Sequence, residues 1–258
     1  MSALVRIGTI AANTVREAIR HRVLYTLLFF SILLIGTGVL LSTLSYVERD
    51  RILQNVGFAA IRLFGVAIAI FVGIGLIHRE VDRRTIYTIL SKPLSRSEFL
   101  LGKYVGLVAT LWLQLGIMSA AFLGFSALAG AAVNGGHAAA LVLVGVELAL
   151  VVAVATLFSA FTTPMLASLF ATGIVAIGHL SRDLRELGLQ SQIDAVRWVT
   201  TALHRVLPDL RSFDLGTQAV HALPVTAADV VFPLLYAAGY VTVLLVAAAW
   251  IFERRDFR

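Results

Sequence analysis

Residues 23–44 contain no acidic, basic or histidine side chain. Wound as an α-helix at about 1.5 Å per residue, a stretch of this length matches the roughly 30 Å hydrocarbon layer of a bilayer. Lipid cannot satisfy backbone N–H and C=O groups, so such a stretch must be a helix or one strand of a closed barrel. The run is continuous and does not alternate, which fits the helix. Further apolar runs at 58–77, 104–128, 138–158, 164–180 and 230–252 obey the same constraint. The sequence therefore predicts an all-α polytopic membrane protein, one transmembrane domain over 1–258 with six membrane spans. Hydrophobic residues are 59% of the chain and charged ones 14%. A soluble domain carries about 25% charged residues, so no ordinary soluble domain is expected beside the spans.

The segments between the runs set the orientation. Lysine and arginine accumulate on the cytoplasmic side of short connections. Taken alternately from the N-terminus, the segments on the first side hold 13 Lys and Arg and those on the other side 7. Five of the latter lie in one long segment, 181–229, and long segments cross with little regard to charge. Both termini are accordingly expected in the cytoplasm. The net charge of +6 follows from this placement and does not call for nucleic acid.

Two segments carry a helical pattern of their own. In 1–22, Leu4, Ile7, Ala11, Val15 and Ala18 recur at three and four residues, with Arg6, Thr9, Asn13, Arg16 and Arg20 on another face. This is an interfacial amphipathic helix on the inner surface; a plain basic flank would explain the charges but not the two faces. In 181–229, Ile193, Val196, Val199, Leu203 and Val206 are spaced the same way up to Pro208, opposite Asp194, Arg197 and Arg205. The outer segment is thus helical, lying on the membrane, dipping between spans or capping the bundle.

Catalytic patterns are missing. The chain has no cysteine and no G-x-x-x-x-G-K-[ST], H-E-x-x-H or G-x-S-x-G motif, and every aspartate lies in a connection or terminus. Gly102-Lys103 is followed by Tyr104, so no phosphate loop starts there. No enzyme, metal site or resident cofactor is expected. Two residues that are charged at neutral pH fall within spans, Glu147 and Arg62. A charge at such depth costs a few kcal/mol or more, and a Glu147–Arg62 pair on the outer half is geometrically allowed, though Arg62 could also snorkel outward. Glu147 is read either as a polar contact on a translocation path or as a paired structural carboxyl.

The remaining departure is the interval 78–103, HREVDRRTIYTILSKPLSRSEFLLGK, with six basic and three acidic residues. Arg79, Glu80, Asp82, Arg83 and Arg84 mark the exit from the second span. Ile86, Ile89 and Leu90 make an apolar stripe beside Thr85, Tyr87 and Thr88. Pro93 disfavours helix at the residue before it, so 82–90 reads as a two-turn amphipathic helix, 93–95 as a turn, and Arg96 to Lys103 as the return to the membrane. Apolar anchors with orienting charges suit a groove on a soluble partner; a loop that only fixes topology has the same composition.

This interval resembles the signature of ABC-2 type permeases, the membrane subunits of one class of ATP-binding-cassette transporter. The matching residues are Glu80, Thr85, Leu90, Pro93, Ser95, Arg96, Glu98, Leu101, Gly102 and Lys103, with Arg254-Arg255-Asp256-Phe257 similar to the family's C-terminal ending. Arg84 stands where many members have glycine. Leu-Pro-Asp-Leu at 207–210 and Phe213-Asp214-Leu215 are similar to members associated with multicopper-enzyme maturation, including nitrous oxide reductase assembly. The resemblance implies a bacterial inner-membrane permease, most often an exporter. It pairs with itself or a second permease and with two ATPase subunits that hold ATP and Mg, and an outer-side accessory protein is compatible with it. The ATPases would engage Glu80, Asp82, Arg83, Arg84, Thr85, Ile86, Tyr87, Ile89, Leu90, Pro93 and Arg96 through a cytoplasmic coupling helix. An ATPase-driven assembly scaffold would use the same loop. An ion-coupled carrier would instead show paired broken helices and charged spans, toward which only Glu147 and the proline of the fifth span point.

Overall fold

A computed structural model of the chain describes residues 2–43, 48–82 and 95–254. Apolar runs flanked by helix-compatible polar residues become helices that outrun the membrane layer. They are α1 (Ala3–Ile19), α2 (Arg22–Ser42), α3 (Arg49–Asp82), α4 (Arg96–Leu128), α5 (Gly135–Ser159) and α6 (Pro164–Gln190). A shorter α7 (Asp194–Val206), a 3-10 turn (Leu210–Phe213), α8 (Gly216–Val220) and a final long α9 (Ala227–Arg254) complete the order. Six of them, α2 to α6 and α9, are long and apolar enough to cross a membrane.

The bundle is built round α5. Its sequence is apolar on every face, the pattern of a helix enclosed by others, and 72% of its most apolar window is buried against 11% for α9. Helices α3, α4, α6 and α9 all pack on it. Leu143, Leu150, Val151, Val152 and Ala153 are inaccessible. By contrast α2 and α9 turn Phe29, Phe30, Phe232, Leu235 and Val246 outward, as helices at a lipid boundary do.

Three boundaries differ from the sequence reading. α3 begins at Arg49, inside the stretch 45–57 read as a link, with Asp50 in its first turn, where an acid favours the helix dipole. α6 continues to Gln190, ten residues beyond the expected end of the fifth span. Charge ends an apolar run without ending a helix: Arg182 pairs with Asp209 at 2.7 Å and Asp183 with Arg211. α9 starts at Ala227, three residues before the expected run 230–252, which puts Pro233 in its second turn.

The α1 and α7 patterns appear as helices. α7 doubles back along α6. The chain then turns inward, and Leu210, Phe213, Leu215 and Ala219 are buried against α3, α5 and α6. The segment 207–220 therefore dips into one end of the bundle. It is pinned there by the Asp209 N–H, which donates to Tyr236 Oη at 3.0 Å, and by Tyr240 Oη, which donates to the Val206 carbonyl. Close approach needs Gly178, where a Cβ would stand 2.8 Å from the Pro208 carbonyl oxygen. The opposite end holds α1, the start of α4 and the end of α9.

Candidate functional site

At the end that receives 207–220, four charged or titratable side chains from four elements converge. Glu147, midway along α5, is wholly inaccessible. Its Oε2 lies 3.2 Å from Arg62 Nε on α3, and its Oε1 lies 3.1 Å from His179 Nε2 on α6. Arg62 also reaches Asp214, Nη1 to Oδ2 at 2.8 Å. His179 is oriented through Nδ1, 3.0 Å from the Val175 carbonyl one turn earlier.

Neither contact to Glu147 is aligned as a hydrogen bond, so charge proximity holds the carboxylate. In a low-dielectric setting that attraction is strong, but it offsets a desolvation cost of several kcal/mol per ion. Asp214 lies outside the spans and carries the opposite end of the Arg62 bridge. Burial opposes its ionisation, but the Arg62 guanidinium and the Gly216 N–H outweigh it and hold the carboxyl below its usual range.

The structure thus brings Arg62 and Glu147 together, and Arg62 faces inward instead of snorkelling. It also adds His179, which the sequence reading did not name, and Asp214, which that reading named only within the motif Phe213-Asp214-Leu215. His179 is the histidine of the fifth apolar run and lies one helix turn before the charges at 182–186; its position alone was a signal. Asp214, between buried Phe213 and Leu215, gave one through its neighbours.

At the opposite end, the return from the charged interval is fastened on three sides. Ser95 caps α4, accepting from the Glu98 N–H at 3.2 Å, while the Ser95 N–H donates to Glu98 Oε2 at 3.2 Å, a capping box. Glu98 also takes Arg6 Nη2 of α1 at 2.6 Å. Arg96 Nη1 donates to the Phe252 and Glu253 carbonyls of α9 at 3.3 and 3.2 Å, where a cation suits a helix C-terminus. Phe99 stacks near Phe252 with ring centroids 6.3 Å apart.

Helix α1 then lies in a groove made by missing side chains. A Cβ on Gly102 would come 2.7 Å from Ile10, and one on Gly106 within 2.7 Å of the Ala11 carbonyl oxygen and 2.6 Å of Thr14. Between them Lys103, 3% exposed, reaches Glu17 Oε2 with Nζ at 3.1 Å. Within the interval itself, Glu80 and Asp82 fall in the last turn of α3. Arg83, Arg84, Thr85, Ile86, Tyr87, Ile89, Leu90 and Pro93, with most of the 82–90 helix, lie outside the described residues, as does the ending 255–257.

No curated protein matches the chain. A family model described as ABC-2 family transporter protein matches residues 8–257, from α1 to the charged C-terminal tail. With six helices fit to cross a bilayer, that match over nearly the whole chain places it: the protein belongs to the ABC-2 family, the multi-pass membrane permease subunits of ATP-binding-cassette transporters.

Proposed function

We propose that this permease is half of a dimeric exporter driven by two copies of a separate cytoplasmic ATPase subunit carrying ATP and Mg. A second copy of the chain or a related permease completes the pair. The observation that carries the reading is the three-sided joint at 95–106: α4 is capped by Ser95 and Glu98, tied by Arg96 to the end of α9, and grooved at Gly102 and Gly106 to hold α1. A displacement of the 78–103 loop is delivered there to α1, α4 and α9 at once, and through α4 and α9 to the α5 axis.

In this mechanism the ATPase seats on Glu80, Asp82, Arg83, Arg84, Thr85, Ile86, Tyr87, Ile89 and Leu90, with Pro93 turning the chain and Arg96 anchoring it. Glu147 and Arg62 lie on the translocation path. Through Asp214 they close its outer end, because Arg62 bridges a span and the segment 207–220. Opening that end separates Arg62 from Asp214 and leaves Arg62 to Glu147.

Co-purification tests the coupling. Reversing the charges of Glu80 and Asp82, or combining Ile86→Asp with Leu90→Asp, is expected to abolish capture of the ATPase while membrane insertion is kept. Retained capture after all four changes refutes the assignment. For the path, Glu147→Gln is expected to lower turnover in a reconstituted assay, and wild-type turnover would reduce Glu147 to a structural role.

A second reading, ATPase-driven conformational work on an outer-side partner, is favoured by α7, whose Val196, Trp198, Val199 and Val206 are exposed. Crosslinking from Trp198 to an envelope protein, with no solute moved by the reconstituted complex, would favour it.

A further inference from the structure

The corner between α1 and α2 encloses an open cavity of about 740 Å³ whose lining includes Asn13, Arg16, Glu17, Arg20 and Arg22. Arg16 and Arg20 stand one turn apart near the end of α1, and Arg22 opens α2 after a two-residue joint. Among the described residues none of the three arginines is ion-paired. The cavity's one carboxylate, Glu17, is turned to Lys103. Three exposed guanidinium groups thus share a concave site with one acid already engaged elsewhere.

Guanidinium groups present planar, forked donors that match phosphate oxygens two at a time. Directly beyond the cavity α2 becomes a bare apolar surface. Val23, itself part of the lining, is followed at helical spacing by Phe30 and Leu33, and these are 40%, 48% and 50% exposed. A ligand with a phosphate at one end and a hydrocarbon chain at the other would meet both surfaces without bending away from the protein. A soluble phosphate compound would use only the first, and an acidic protein surface would leave the stripe uncovered.

We propose that this corner binds the phosphate headgroup of an anionic phospholipid, with its acyl chain laid along Val23, Phe30 and Leu33. Bound there, the lipid neutralises the arginines that otherwise repel one another across the α1–α2 joint. The site depends on the α1–α2 corner alone and stands whether or not the transport reading does.

Native mass spectrometry of the full chain, offered phosphatidylglycerol or phosphatidylcholine in detergent, tests it. The wild type is expected to retain phosphatidylglycerol preferentially. Each arginine near an anionic headgroup is worth roughly fivefold, so Arg16→Gln, Arg20→Gln and Arg22→Gln together should cut that retention by about a hundredfold. The triple lysine variant, which keeps the charge, should retain most of it. Should the triple glutamine variant not fold, Arg20→Gln alone, expected to lose roughly fivefold, decides the matter. Unchanged phosphatidylglycerol retention overturns the proposal. So does displacement of the lipid by millimolar inorganic phosphate, which would mark a soluble-phosphate site. Loss of ATPase capture with lipid retention intact would mark a protein contact instead, and also overturns it.

Discussion

The two ends of this bundle use the same ion-pair chemistry for different ends. At one end Glu147 is sealed from solvent between Arg62 and His179, and removal of Arg62 strands its charge in an apolar interior. At the other, Arg6–Glu98 and Lys103–Glu17 decorate a contact already fixed by shape, because Gly102 and Gly106 admit α1 to within touching distance of α4. Charge decides the first contact and packing the second. A membrane protein can therefore join helices by costly ions at one end and by close-packed glycines at the other.

The largest expected effect attacks the sealed end. Arg62→Leu strands Glu147 and should destabilise the protein by about 3–5 kcal/mol, read as a drop in the thermal unfolding midpoint in detergent. Arg62→Leu with Glu147→Leu should regain more than half of that loss. If the double variant is as unstable as the single, the cluster is held by packing and the contrast between the ends collapses.

Next comes the groove. Gly106→Val forces a side chain against the Ala11 carbonyl and Thr14 and should cost about 1–3 kcal/mol, with α1 released to limited proteolysis while the Arg62 cluster stays intact. Lys103→Met should cost less, about 1 kcal/mol, since its partner Glu17 is more than a third exposed and solvent screens the pair. A larger loss from Lys103→Met than from Gly106→Val would reverse the ranking of charge and shape at this end.

Acid probes the Arg62–Asp214 bridge. The Asp214 carboxyl is held below its ordinary value of 3.8, so its contribution is complete at neutral pH and fades only as pH falls through that depressed folded value. Protease sensitivity of 207–220 should rise on that acid side in the wild type, and Asp214→Asn should show the raised sensitivity already at neutral pH. The smallest effect is expected from Arg6→Gln, whose partner Glu98 keeps its capping role with Ser95; its midpoint shift should vanish at high salt.

Much of this architecture is legible from residues alone, because lipid allows so few solutions. Long apolar runs had to be helices, and the charged Glu147 and Arg62 within them stood out as a geometrically allowed pair. The rest needed the third dimension. His179 is titratable but not obligatorily charged, so its place in an apolar run is a weaker signal than a fixed charge, and Asp214 lies in a connection where acids are ordinary and only its apolar neighbours mark it. Gly102, Lys103 and Arg96 were visible as a signature. Their physical work, admitting α1, pairing with Glu17 and holding the end of α9, rests on contacts spanning up to 157 positions in sequence, which no local pattern encodes.

That span has a consequence for how the molecule is made. Arg6 must wait through synthesis of 92 further residues before Glu98 exists, and Arg96 through 156 more before the Phe252 carbonyl does. The joint therefore closes only after α9 has been made. A polypeptide halted before α9 would insert its earlier helices without completing the fastening at 95–106. Completion of the joint thus reports that α9 has been made and has met the start of α4.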